Sequence, residues 1–208
     1  MTRRGAPRDG RPSRVRIIGG DWRRRWLPVA PVPGLRPSAD AQRETLFNWL
    51  QPWLPAASVL DLFAGTGALG LEAASRGAAS VLLLEKSPQA ARQLEQNCST
   101  LGARQVCVRQ VDALRFLAQG RQRSGLAPFS VVFVDPPFGK NLVNRALQAL
   151  DSGDWLTTDA RVYVEQEASL PAPEAWEILR ERTGGQARGL LLQQASAPLI
   201  APGMFRGG

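Results

Sequence analysis

Asp61-Leu-Phe-Ala-Gly-Thr-Gly-Ala-Leu-Gly70, read together with Asp135-Pro-Pro-Phe138, decides the fold of this chain. The first stretch follows the apolar run Ser58-Val-Leu-Asp-Leu-Phe63 and precedes an alanine-rich helical segment over 68–76, so its glycines fall on a strand-to-helix turn. Gly65-Thr-Gly67-Ala-Leu-Gly70 satisfies the dinucleotide fingerprint G-x-G-x-x-G. In a dinucleotide site such glycines and the helix N-terminus hold an anionic pyrophosphate, which a carboxylate just ahead of the turn would repel. Asp61 stands in that place. An acidic turn suits a ligand with positive charge and no phosphate, such as S-adenosylmethionine, a sulfonium with a free amino group. A structural glycine turn, or an NAD site with an incidental Asp61, are the other readings of this stretch alone. Glu85 closes the next apolar run, Ser80-Val-Leu-Leu-Leu-Glu85, where a carboxylate accepts ribose hydroxyls.

The second stretch ends another apolar run, Phe129-Ser-Val-Val-Phe-Val-Asp135, which brings Asp135 to the carboxyl edge of a central strand. Ligands of open α/β sheets bind at that edge. A conjugated exocyclic amine is a poor nucleophile, and two acceptors, the Asp135 side chain and the Pro136 carbonyl, can hold its hydrogens and aim its lone pair. Positioning of this kind supplies much of a rate enhancement. Pro136 and Pro137 stiffen the loop and donate no N–H, while Phe138 can stack on a flat base. Alone the motif could be an ordinary Pro-rich turn; beside the glycine turn it points to methyl transfer onto an amino nitrogen.

Working outward, strands are expected near 58–63, 80–85, 105–110, 129–135 and 160–166, with helices near 68–76, 88–101, 112–119 and 140–150. This alternation argues a doubly wound, mostly parallel sheet of the Rossmann-like α/β class. Residues 176–183 and 187–194 flank Gly184-Gly185 and read as a hairpin that puts an antiparallel strand into the sheet. At the other end, 14–18 and 22–29 read as a small hairpin across Gly19-Gly20-Asp21. Ser38 is placed to cap a helix reaching Leu50. The expected organisation is a disordered basic tail over 1–13, a basic β-hairpin and linker over 14–35, a catalytic domain over 36–195 and a loose tail over 196–208.

Charge is segregated. The chain has 26 Lys+Arg against 18 Asp+Glu, and residues 1–26 alone hold nine Arg and two Asp. Arg14, Arg16, Arg23, Arg24 and Arg25, interleaved with Trp22 and Trp26, suit a nucleic-acid-binding arm with phosphate contacts and aromatic surfaces for bases. A solubilising arginine-rich tail is the bland alternative. No His is present, and Cys98 and Cys107 are the two cysteines, which excludes His-based catalysis and leaves no zinc or disulfide framework. No apolar run spans a membrane and no signal peptide is evident, so the cytoplasm is the default compartment. At 208 residues the simplest assembly is a monomer.

These motifs resemble the bacterial RsmD family, which methylates the N2 amine of guanine 966 in 16S ribosomal RNA. The resemblance spans residues 14–194 and rests on Arg16-Ile-Ile-Gly-Gly20, Arg36-Pro-Ser-Ala-Asp40, Arg43-Glu-Thr-Leu-Phe-Asn-Trp-Leu50, the Asp61 turn, Ser75-Arg-Gly-Ala78 and Asp135-Pro-Pro-Phe138. It implies a class I methyltransferase fold with a seven-stranded sheet. It also implies a donor site for S-adenosylmethionine at Asp61, Phe63, Gly65, Gly67, Glu85, Lys86, Asp112 and Ala113, and a catalytic loop of Asp135, Pro136, Pro137 and Phe138. The implied partner is 16S rRNA or an assembling small subunit, gripped by the basic arm together with Arg36 and Arg43; no metal is implied. Ser38 stands where members usually carry Thr, and Ala41 replaces a basic residue.

Several residues keep two readings. Asp112 can accept from the donor's adenine amine or cap a helix. Glu165 and Glu167 touch RNA or are solvated, and Arg121 and Arg123 read as a solvated loop. Trp49, Trp53 and Trp155 read as packing. At the level of function, a DNA adenine-N6 methyltransferase shares the aspartate-proline-proline loop but normally needs a target-recognition domain for which little chain remains after Asp135. A protein-glutamine methyltransferase would favour Asn at that position, and a non-enzymatic RNA-binding assembly factor is the third alternative.

Overall fold

The computed structural model describes residues 13–32 and 40–195. All but Ser13 of the tail expected over 1–13, the tail expected over 196–208, the Ser38 cap and Arg36 lie outside the described residues. Strands β1 (Arg14–Arg16) and β2 (Trp26–Pro28) form an antiparallel two-stranded sheet and are followed by helix α1 (Asp40–Leu50). The chain continues with β3 (Ser58–Asp61), α2 (Gly70–Ser75), β4 (Ser80–Glu85), α3 (Pro88–Leu101) and β5 (Val106–Gln110). Then come α4 (Ala113–Leu117), α5 (Arg121–Ser124), β6 (Phe129–Val134), α6 (Leu142–Ser152) and β7 (Leu156–Glu167). The hairpin β8 (Trp176–Gly184) and β9 (Ala187–Gln194) closes the domain.

The sheet has seven strands in the order β5-β4-β3-β6-β7-β9-β8. The first five run parallel, and β9 enters antiparallel between β7 and β8. Strand order reverses at β3, which is flanked by β4 and β6, so the crevice at the carboxyl ends of β3 and β6 is the topological switch point where such sheets bind ligands.

Strand alternation sorts the core into two layers. Val59, Val81, Leu83, Val131, Phe133, Tyr163 and Leu191 face α1, α2, α3 and the small N-terminal sheet. Leu60, Leu82, Leu84, Val132, Val134, Val162 and Leu190 face α4 and α6. Trp155 is wholly buried in the second layer, 5.0 Å from the Phe116 ring, and its indole N–H donates to the Leu117 carbonyl. It is packing, as are the partly buried Trp49 and Trp53.

Local signals set the boundaries that matter for the site. Ser87 accepts from the Ala90 amide, Pro88 opens α3, and Gly102 ends it in the left-handed region, which fixes the turn just after Glu85. Four expectations change. The strand expected over 58–63 stops at Asp61, and the β1–β2 connection takes residues 17–25 rather than a two-glycine turn, because side chains of α2 capture amides there instead of a strand partner. Strand β7 begins four residues earlier than the expected 160. The loop expected at Arg121 and Arg123 is a short helix; Arg123 is exposed as expected, while Arg121 is half-buried and its guanidinium donates to the Asp154 and Leu126 carbonyls.

Candidate functional site

A cavity of about 470 Å³ opens at the switch point, lined by Asp61, Phe63, Gly65, Glu85, Lys86, Asp112 and Ala113 on one side and Asp135, Pro136 and Pro137 on the other. Val32, Lys140 and Leu142 also border it, three residues that sequence patterns did not single out. Strands β3 and β6 pair Asp61 with Phe133, so Asp61 and Asp135 emerge next to each other at one sheet edge.

Asp61 is 1% exposed. One carboxylate oxygen accepts from the Gly70 amide at 3.1 Å; the other, Oδ1, has no hydrogen-bond partner among the described residues. The N-terminus of α2, the place a pyrophosphate would need, is therefore taken by a carboxylate of the protein itself. Burial pushes the Asp61 carboxyl up to about 7, the Gly70 and Phe63 amides pull the other way, and the nearby Glu85 charge adds a smaller upward push. A buried carboxylate with an orphaned oxygen is a site waiting for a cationic or N–H donor. Gly70 is required there for space: a Cβ would lie 2.1 Å from Leu83 Cδ2 and 3.2 Å from Asp61 Oδ2. Gly67 does not line the cavity; it makes the turn, with φ +78° and Leu94 packed where a side chain would go.

Glu85 is held by backbone on both sides. Its Oε2 accepts from the Gly65 amide at 2.9 Å and its Oε1 from the Ser87 amide at 2.6 Å, which leaves each oxygen one further acceptor position toward the cavity. Asp112 caps α4 by accepting from the Arg115 amide, and Lys86 reaches it at 3.1 Å. The Arg115 amide foremost, then Lys86, outweigh desolvation and hold the Asp112 carboxyl below its ordinary range. Capping and a place on the cavity wall thus coexist in one residue.

On the acceptor side Asp135 is half-buried, Pro136 is buried and Phe138 is 44% exposed, a free aromatic face at the rim. The prolines give the loop no amide to anchor it. Its tie comes from Gly139, whose N–H donates to Glu167 Oε1 at 2.6 Å at the end of β7. Glu167 thus has a defined partner while remaining partly exposed, and so does Glu165, which accepts from the Tyr163 hydroxyl and from Arg182.

The basic hairpin is mounted on α2. Glu72 is wholly buried, and its two oxygens accept the Ile18 and Gly19 amides at 2.7 Å each, with Arg76 at 2.8 Å. Ser75 donates to the Gly19 carbonyl and accepts the Trp22 amide. This presents Arg23, Arg24 and Arg25 on an exposed turn, with Arg14 also exposed. Arg16 is partly committed, paired with Asp40 at 2.6 Å and lying over the Trp26 ring. The expectation that Arg43 contacts RNA is corrected: it is 1% exposed, donates to Asp40, the Arg16 carbonyl and the Ala68 carbonyl, and cannot reach an external phosphate. Sequence reasoning missed Glu72 as the anchor, although a lone acid inside the apolar run Leu69-Gly-Leu-Glu-Ala-Ala74 was the available signal. Among the described residues no cluster of His, Cys, Asp or Glu could hold a metal, and burial pushes the Cys98 thiol up to about 11, which leaves it inert.

Known proteins share this chain's sequence and shape. A family model described as conserved hypothetical protein 95 matches residues 15–193. Ribosomal RNA small subunit methyltransferase D of Escherichia coli strain K12 is 44% identical over 191 residues, covering 90% of this chain and 94% of that protein. The protein of the same name from Haemophilus influenzae is 45% identical over 175 residues, covering 82% and 89%. The solved structure of yhhF from Escherichia coli superposes with a TM-score of 0.79 at 44% identity, covering 89% of this chain and 100% of that one.

Proposed function

The chain belongs to the family of ribosomal RNA small subunit methyltransferase D, described also as conserved hypothetical protein 95, and on that basis we propose that it methylates the N2 amine of a guanine in small-subunit ribosomal RNA, guanine 966 of 16S rRNA being the specific target. The observation that carries the reading is a single cavity with the buried, half-satisfied carboxylate of Asp61 at one end and the Asp135-Pro136 loop at the other.

S-adenosylmethionine, when bound, supplies the methyl group. Asp61 would hold its amino group, Glu85 its ribose hydroxyls, and Asp112 with Ala113 its adenine. Asp135 and the Pro136 carbonyl accept the two hydrogens of the target amine, which directs its lone pair into the cavity, and Phe138 stacks on the base. Catalysis of this kind is positioning and exclusion of water. The exposed arginines of the hairpin supply a phosphate-binding surface beside the site. The reaction would take place wherever small subunits are assembled, which in bacteria is the cytoplasm.

The test offers labelled S-adenosylmethionine with protein-free 16S rRNA, small subunits and duplex DNA in parallel, followed by digestion of the product to nucleosides. Label in N2-methylguanosine from one of the RNA substrates is the expected result. Label in N6-methyladenine of the duplex would replace this reading with DNA methylation, and binding of rRNA without transfer would make the chain an assembly factor.

A further inference from the structure

Beside Asp135, a row of residues crosses the end of the sheet and forms a buried polar group with no place in the donor chemistry. Val134, the last residue of β6, pairs with Val164 of β7, so Asp135, the first residue past the strand, and Glu165 leave this pair side by side, where adjacent strands lie about 4.8 Å apart. Glu165 pairs in turn with Gly189 of β9, and Gly189 with Arg182 of β8. Alternation puts Glu165 on the face of Tyr163 and Phe133, the face reached also by Asp61.

The group is held rigidly from one side. The Tyr163 hydroxyl donates to Glu165 Oε2 at 2.9 Å, and Arg182 donates to the same oxygen at 3.2 Å and to the Tyr163 hydroxyl at 2.8 Å. Burial first, and the Glu165 charge second, raise the Tyr163 phenol, so it stays a donor. Arg182 can cross β9 only because position 189 is glycine: a Cβ there would lie 2.6 Å from the Tyr163 hydroxyl and 3.2 Å from Arg182 Nε. Both hydrogen bonds go to Oε2. Oε1 receives no hydrogen bond from the described residues, and Glu165 lines a small cleft with Pro136, Pro137 and Phe138, so the oriented carboxylate stands beside the loop.

We propose that Glu165 selects the target base by accepting the N1–H of guanine while Asp135 holds the neighbouring 2-amine, a role that rests on the guanine reading above. Guanine carries N1–H and its amine side by side on one edge. A base with an amine next to a ring nitrogen lone pair, as in adenine or 2-aminopurine, would turn that lone pair toward the carboxylate. The mismatch leaves a desolvated acceptor facing an acceptor, which is how polar sites reject near-isosteres. Tyr163 and Arg182 fix the Glu165 carboxylate, and Arg182 pairs with its charge. Glu165 is thus a specificity-determining residue, and Tyr163, Arg182 and Gly189 position it.

The experiment compares two otherwise identical small-subunit rRNA substrates, one with guanine at the target and one with 2-aminopurine, which keeps the 2-amine and replaces N1–H by a lone pair. The wild-type chain, Glu165→Gln and Gly189→Ala are assayed for kcat/KM on both, with S-adenosylmethionine affinity measured alongside. Wild type is expected to prefer guanine by about tenfold or more. Glu165→Gln should lose about ten- to a hundredfold on guanine, hold or gain on 2-aminopurine because its amide donates to N1, and bind donor unchanged. Gly189→Ala should narrow the preference in the same direction by a smaller factor. Equal losses on both substrates would make Glu165 a structural residue and overturn the proposal, as would no loss on either. A wild type indifferent between the two substrates overturns it without any variant. Failure of wild type to methylate the guanine substrate at all would instead remove the guanine reading on which it rests.

Discussion

The donor and acceptor sides of the cavity are built from different materials. On the donor side the two carboxylates are fixed by backbone amides: Asp61 by Gly70, Glu85 by Gly65 and Ser87. On the acceptor side the loop has two prolines, one amide tie from Gly139 to Glu167, and a neighbouring carboxylate held by Tyr163 and Arg182 side chains. Carboxylates fixed by main-chain amides suit a small, invariant ligand. In the proposed function a nucleotide of a large RNA would instead meet side chains held by other side chains and an open rim, Phe138 included. Mutations on the two sides should therefore separate binding from turnover.

Four changes stress that comparison, in decreasing order of effect. Glu72→Ala removes the buried acid that ties the hairpin to the donor-side helix and leaves Arg43, itself 1% exposed, without that charge. Losing one member of a buried charge network destabilises by about 3–5 kcal/mol, read as a shift of the denaturant midpoint at unchanged slope. Glu85→Ala should weaken S-adenosylmethionine ten- to a hundredfold by calorimetry while sparing RNA binding, on the scale of about 1.5–3 kcal/mol for a charge-assisted bond. Unchanged donor affinity would show that β4 does not end at the ribose.

The third concerns pH. Because the Asp61 carboxyl is raised to about 7 from 3.8, the ligand-free fold keeps a proton that the unfolded chain has already released. The stabilisation from that proton is complete below the unfolded value and is lost as pH rises through the folded one, so melting temperature should fall between about pH 4 and 7. Asp61→Asn should remove this slope, and a cationic donor should flatten it in the wild type by pairing with the ionised form. The fourth tests the hairpin: replacing Arg23, Arg24 and Arg25 by Ala should flatten the log–log salt dependence of rRNA binding by about 0.7–0.9 for each phosphate no longer neutralised, with donor affinity unchanged. Equal salt slopes would make these arginines a solvated surface.

Legibility in the sequence followed the same division. The glycine turn, the strand-end acids and the aspartate-proline-proline loop are local patterns, so Asp61, Glu85 and Asp135 could be placed at one sheet edge from spacing alone. The C-terminal hairpin around Gly184-Gly185 was equally local. What could not be read was every feature decided by a partner distant in sequence. Glu72 acquires its meaning from Ile18 and Gly19, more than fifty residues earlier. The resemblance implied Arg43 as an RNA contact, but a motif does not say which neighbours cover a side chain, and here that cover comes from Arg16, Ala68 and Glu72. Glu165 and Glu167 kept two readings because their partners, Tyr163 with Arg182 and Gly139, are set by strand register and the loop.

The proposed function divides donor binding and amine positioning between the two sides of the cavity. The most direct test of that division is Asp135→Asn, with S-adenosylmethionine affinity measured by calorimetry and methyl transfer to small-subunit rRNA measured under single-turnover conditions on the same preparation. Donor affinity is expected within about twofold of wild type and transfer reduced by about a hundredfold or more, the scale on which loss of positioning acts. A parallel loss of donor affinity and transfer would put Asp135 in the donor pocket and contradict the division.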